Sequence, residues 1–190
     1  MTQQKSIKRS KCVILDAMII ITAHELGVWA HMIERLDIVV PSIIVRDEAL
    51  FYTRKECGIP EDINLRKLIT QGKIREIAAS VEEIADLQNI FDSIFLSGLH
   101  EGESEALAIL KSDRVTEAFF CTSDIKAIQA LAMIDKSDRG LSFERMLGEV
   151  GMRKPLPVHY TDGFFKNILS DGKTNRILGR GMKRTDRRRK

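Results

Sequence analysis

The stretch HEGESEALAIL, residues 100–110, sets three carboxylates into five positions and then turns apolar. Charges that close repel one another, so a helix end or a cation must compensate them. With Gly102 as cap, Glu103 and Glu105 fall in the first turn of a helix, where the macrodipole favours each by about 0.3–1 kcal/mol. Two residues apart, they point about 200° away from each other. Glu103 shares its face with Ala106, Leu107 and Leu110, the start of an apolar stripe, whereas Glu105 lies with Ala108 and Ile109 on a less consistently apolar face. A carboxylate at the rim of a core face is costly to desolvate without a partner. Glu103 is therefore the candidate for an inward-facing ligand, and Glu105 for a supporting or solvated role.

Further acids stand at comparable places. Asp16 directly follows the strand-like run CVIL, and Asp124 comes two residues after AFFCT. Each precedes a helical stretch, where Asp is a preferred N-cap; as a pair at two strand ends they point to a shared site. In VVPSIIVRDEALFY, Glu48 interrupts the face of Ile44, Val45, Phe51 and Tyr52, while Asp47 interrupts that of Ile43, Ile44, Leu50 and Phe51. Periodicity does not choose between these two, and a half-exposed acid on an amphipathic helix gives the same pattern. Hard oxygen ligands without Cys or His at ligand spacing suit Mg²⁺ or Mn²⁺ and not zinc. Such ions hold phosphates and lower the pKa of water, the chemistry of phosphodiester hydrolysis.

These acids need a scaffold. KCVIL (11–15) and DIVV (37–40) read as strands, as do KIREI and AFFCT (118–122), through apolar runs and alternation. Helices are expected around 22–35, from Pro41-Ser42 to about 55, over 62–71 with Gly72 as stop, and from the Ser80/Glu83 capping box to about 96. Others are expected to about 111, over 125–134 and over 142–150 with Ser142 as cap; Thr161-Asp162 caps a last short helix. Strands alternating with helices predict an α/β fold, a three-layer sandwich with a central parallel sheet flanked by helices. In such sheets function collects at the carboxyl ends of the strands, where Asp16 and Asp124 stand. No strand is legible after Asp124.

Of 190 residues, 30 are Lys or Arg and 27 Asp or Glu, a net charge of +3 that hides an asymmetry. Residues 173–190 carry +8 and residues 1–11 carry +4, which leaves −9 over 12–172. The expected organisation is a basic segment 1–10, one α/β domain over 11–155, and a C-terminal extension 156–190 with a basic, disordered tail. An acidic body repels nucleic acid, so the basic ends are candidate anchors for phosphate backbones, though KRTDRRRK lacks the aromatic residues that stack on bases. A solvated tail or docking to an acidic partner are the alternatives. CVILDAMIIITA is too short and too charged to span a bilayer, and no secretory signal precedes it, so a cytoplasmic protein without membrane contact is expected. Cys12, Cys57 and Cys121 show no zinc or disulfide spacing; the first and last read as buried, reduced thiols. His24 and His31 sit seven apart on one helical face, and His100 adjoins the acidic cluster; none of the four histidines is assigned to catalysis.

The stretches VILDAMII, VVPSIIVRDEA, GESEALAIL and FFCTSD, in that order over about residues 11–135, resemble the PIN-domain family of metal-dependent nucleases, which includes toxins of toxin–antitoxin pairs. The resemblance implies that Asp16, Glu48, Glu103 and Asp124 are catalytic and ligate Mg²⁺ or Mn²⁺, with Glu105 as a frequent companion ligand. Glu48 is favoured over Asp47 at the second position because the family favours Glu there, and Thr122 matches a small hydroxyl residue before the last acid. It further implies an endoribonuclease acting on RNA through a metal-activated water, with an antitoxin or another protein as partner and a homodimer as a common assembly. The basic extension is no part of the motif set. The rival readings are a PIN-like module that holds RNA or a protein without cutting, and a phosphatase using Asp16 as nucleophile. The latter is weakened because Met18 stands where a second acid is usual.

Overall fold

The computed structural model describes residues 11–47, 50–53 and 58–183. Strand β1 (Cys12–Leu15) leads through helices α1 (Ala17–Glu25) and α2 (Trp29–Arg35) to β2 (Asp37–Pro41) and α3 (Ser42–Asp47). A hairpin of β3 (Phe51–Thr53) and β4 (Pro60–Asp62) precedes α4 (Leu65–Thr70), β5 (Arg75–Ile77), α5 (Val81–Gln88), α6 (Ser93–Leu96) and α7 (Glu101–Lys111). Then come β6 (Phe119–Cys121), α8 (Ile125–Met133), β7 (Gly140–Leu141), α9 (Phe143–Glu149) and the long α10 (Asp162–Leu178). Five strands form one sheet in the order β5-β2-β1-β6-β7, with every pairing parallel.

Alternation along the strands divides the interior into two cores, one on each face of the sheet. Val13, Leu15, Ile38 and Val40 pack with α1 to α4 and α9, while Ile14, Val39 and Phe120 pack with α5 to α8 and α10. The chain is thus α/β, with helices on both faces of a parallel sheet.

The boundaries differ from expectation where local chemistry interrupts a periodic run. The helix expected over 22–35 begins at Ala17 and breaks at Gly27, whose φ of 66° is a conformation that residues with a side chain rarely adopt. The helix expected to reach residue 55 stops at Asp47, and the hairpin replaces its second half. The Ser80 capping box is present, yet α5 ends at Gln88 and Asp92 caps α6 afresh by accepting from the Phe95 N–H. The two-residue strand β7 is too short to leave a periodic signal.

The last helix is 17 residues long, and it packs on α8. A Cβ at Gly172 would lie 2.6 Å from the Gln129 carbonyl oxygen, so glycine permits that approach, and Phe165 enters the same core as α8. The segment expected as an extension beyond residue 155 therefore contributes to the main core. Basic segment 1–10, Glu48, Cys57 and the end of the basic tail lie outside the described residues. No helix of the described residues is long and apolar enough to cross a membrane.

Candidate functional site

The order of strands fixes where a site can form. From β1 the chain builds outward through β2 and β5, then returns to the other side of β1 with β6 and β7. The direction of winding reverses between β1 and β6, and the loops there diverge to leave a crevice beyond the carboxyl ends. Asp16 and Ala17 leave β1 into that crevice, and Ser123 and Asp124 leave β6 into it. The first turn of α7, His100 to Glu103, closes the third side of a cavity of about 640 Å³.

Each carboxylate reaches it by a different local device. The Asp16 N–H donates to the Cys121 carbonyl at 3.2 Å, which continues the β1–β6 ladder by one rung. Its side chain does not cap α1; it accepts from the Thr122 hydroxyl at 3.1 Å. The same hydroxyl oxygen accepts from the Asp124 N–H at 3.1 Å, so one buried Thr ties both strand-end acids together. Asp124 is also the N-cap of α8, with Oδ1 accepting from the Ala127 N–H at 2.8 Å. For this residue the cap and a place in the cavity coincide.

Glu103 is 5 % exposed and Asp16 8 %. The cap of α7 is His100, not Gly102, so Glu103 occupies the third helical position and reaches back to accept from the His100 N–H at 3.0 Å. Glu101, in the same first turn, joins the cavity wall; its only signal in the sequence was membership of the acidic cluster. Met18, Ile21 and Ile43 make part of the wall apolar, and sequence reasoning had given them no role. Only their spacing from Asp16 and Pro41 could have suggested it.

Glu105 points elsewhere. It is 3 % exposed, buried where a supporting or solvated role had been expected. Its carboxylate accepts from the Ser42 hydroxyl at 2.8 Å, the Ile43 N–H at 2.9 Å and the Ala79 N–H at 3.0 Å. Those donors lie just past β2 and β5, so Glu105 fastens α7 over that side of the sheet and is not among the residues lining the cavity. The 200° between Glu103 and Glu105 thus places one at the β1–β6 crevice and the other over β2–β5. Of the two candidates for the remaining acid, Asp47 ends α3 and Glu48 lies outside the described residues.

Electrostatics separate this cavity from a second recess of about 590 Å³ at the opposite edge of the sheet. There Asp37 holds Arg75 through two hydrogen bonds, 3.0 and 2.5 Å, Lys11 pairs with Glu149 at 2.6 Å, and Arg139 lines the wall. At the carboxyl edge, Asp16, Glu101, Glu103 and Asp124 face one space, whose described lining holds no Lys or Arg. Burial first, and the Asp16 charge second, push the Cys121 thiol well above its ordinary range. Burial does the same for Cys12, assisted by Asp37, to about 11. Both thiols are free and protonated at neutral pH. Of the histidines, His24 stacks on Trp29 in α2, across the break from α1, and only His100 borders the acids.

The donors are hard carboxylate oxygens, which fit Mg²⁺ or Mn²⁺ in type. Among the described residues, no group of three or more His, Cys, Asp or Glu side chains is placed to hold a metal ion. Asp16, Glu103 and Asp124 line one cavity without forming such a group. Comparison with known proteins adds no relative: no family model, no curated protein and no solved structure matches this chain.

Proposed function

We propose that this protein is a PIN-like, divalent-metal-dependent endoribonuclease, with Asp16, Glu103 and Asp124 holding Mg²⁺ or Mn²⁺ and the acid at 48 completing the set. The observation that carries the reading is the meeting of three carboxylates, two of them more than nine-tenths buried, in the crevice where the winding of the sheet reverses. Carboxylates gathered at one buried crevice are stabilised further by a divalent cation. A bound divalent ion supplies Lewis acidity toward a phosphate and lowers the pKa of water. The chain's own part is orientation. Thr122 holds Asp16 and the backbone of Asp124 in register, the His100 N–H holds Glu103, and the Ala127 N–H holds one oxygen of Asp124. Met18, Ile21 and Ile43 make part of the wall apolar. Activity as the toxin of a toxin–antitoxin pair belongs to the same proposal.

Mn²⁺ titration by calorimetry on the wild type and on Asp16→Asn tests it, together with cleavage of single-stranded RNA. Asn keeps the shape and removes the charge, so binding and cleavage are both expected to vanish. A folded Asp16→Asn that still cuts RNA overturns the assignment. Wild-type protein that binds RNA but neither Mn²⁺ nor Mg²⁺, and does not cut, is a binding module instead.

A further inference from the structure

An acidic cavity in a body that carries −9 over residues 12–172 repels a polyanion, so a nuclease built this way needs cations beside the cavity to hold the strand. One cation follows the cavity-lining Asp124 closely in the chain. Lys126 lies in the first turn of α8, two residues after Asp124. A positive charge at a helix N-terminus is disfavoured by the macrodipole. The Lys126 ammonium forms no ion pair among the described residues; it lies over the Phe95 ring, 4.9 Å from the centroid, while Asp124 caps the same helix. The stem of Lys126 runs past Gly98, where a Cβ would come within 3.3 Å. The lysine is thus seated by an aromatic face and a glycine, and is not a freely solvated side chain.

The same ring is where the end of the chain is fastened. Gly181, at φ 74°, lies so close to Phe95 that a Cβ would meet the ring at 2.7 Å. The Gly181 carbonyl accepts from the Asp92 N–H at 3.0 Å, and the Lys183 N–H donates to the Ile90 carbonyl at 2.9 Å. This strap carries Arg180 and Lys183, both exposed, past the Phe95 ring that Lys126 also touches. Arg180 has no carboxylate partner among the described residues, and the Lys183 ammonium reaches only the Asn89 side-chain oxygen, at 3.3 Å.

We propose that Lys126, Arg180 and Lys183 form a phosphate track: an RNA backbone leaving the carboxylate cavity crosses Lys126, passes α6 and follows the C-terminal strap. The proposal rests on the nuclease reading of the cavity and adds where the strand lies.

The test is fluorescence anisotropy of a labelled single-stranded oligouridylate against KCl concentration, in EDTA so that nothing is cut. Lys126→Gln, the pair Arg180→Gln with Lys183→Gln, and the triple variant are compared with wild type. The control is Lys73→Gln, an exposed lysine before β5. For single strands each lost phosphate contact lowers the slope of log affinity against log salt by about 0.7, so the triple variant should lose about 2. Affinity at low salt should fall severalfold per charge, with Lys73→Gln unchanged. Wild type that binds RNA with the same slope as the triple variant overturns the track and leaves the nuclease reading intact. A Lys73→Gln effect as large as that of Lys126→Gln also overturns it, because charge anywhere would then suffice. No RNA binding by wild type, with metal titration also blank, removes both.

Discussion

Thr122 offers the sharpest test of how the cavity is built. It is 1 % exposed, and its hydroxyl donates to Asp16 and accepts from the Asp124 N–H. Thr122→Val keeps the shape and removes both bonds. Losing a hydrogen bond to an ionised acceptor costs about 1.5–3 kcal/mol, and an unpaired buried N–H adds about 1–3. The Asp124 N–H borders the cavity, where water can partly replace the lost acceptor, so the lower end applies to that second share. The expected loss is about 2–4 kcal/mol. Thr122→Ser keeps the hydroxyl and loses one buried methyl, about 1 kcal/mol. Urea unfolding followed by circular dichroism reads both at constant slope; with about 2 kcal/mol per M, the midpoint falls by about 1–2 M for Val and about 0.5 M for Ser. The order of the two variants matters more than either value. If Ser costs as much as Val, the hydroxyl is not what joins the two strand-end acids, and the account of the cavity's assembly is wrong. Mn²⁺ affinity should follow the same order, weaker in Val than in Ser.

Other substitutions probe the scaffold. Glu105→Gln turns one acceptor oxygen into a donor facing Ser42, Ile43 and Ala79, and should lose about 2–4 kcal/mol in urea unfolding; a loss under about 0.5 would mean that the carboxylate does not fasten α7. In α10, Gly172→Ala meets the Gln129 carbonyl and should lose about 1–3 kcal/mol. Gly163→Ala, with nothing within 4 Å, should gain about 0.4–1; equal effects at the two sites would refute the close helix packing. Burial holds His24 below its ordinary pKa, so the unfolded chain takes up its proton first as pH falls. Stability should therefore drop as pH falls below about 6.5, with a shallower drop in His24→Asn; parallel curves would deny His24 that role. Cys12 and Cys121, both with raised pKa values, should react slowly with iodoacetamide at pH 8 and rapidly once unfolded.

What the sequence determined by itself was the class of the fold and the identity of the unusual acids. Apolar runs at period two or without interruption mark β1, β2, β5 and β6, and local capping chemistry marks the starts of α5, α9 and α10. These signals are short-range: they depend on hydrogen bonds three residues apart and on one face being apolar, so they survive in the linear pattern. The reach of each helix did not survive so well. Gly27, Asp92 and the hairpin after Asp47 overrule periodicity at single positions, and β7 is two residues long.

Only the tertiary structure decided which acids meet. Helix geometry turns Glu103 and Glu105 to different faces, yet both are buried in the fold. Their difference comes from what the sheet sets beneath them: the open crevice between β1 and β6 under Glu103, and the Ser42, Ile43 and Ala79 donors beyond β2 and β5 for Glu105. The link through Thr122, the packing of α10 on α8, and the strap across Phe95 likewise join residues far apart in sequence. Such long-range contacts carry no periodic signature. They follow from the order in which parallel strands are laid down, and that order is a property of the folded chain alone.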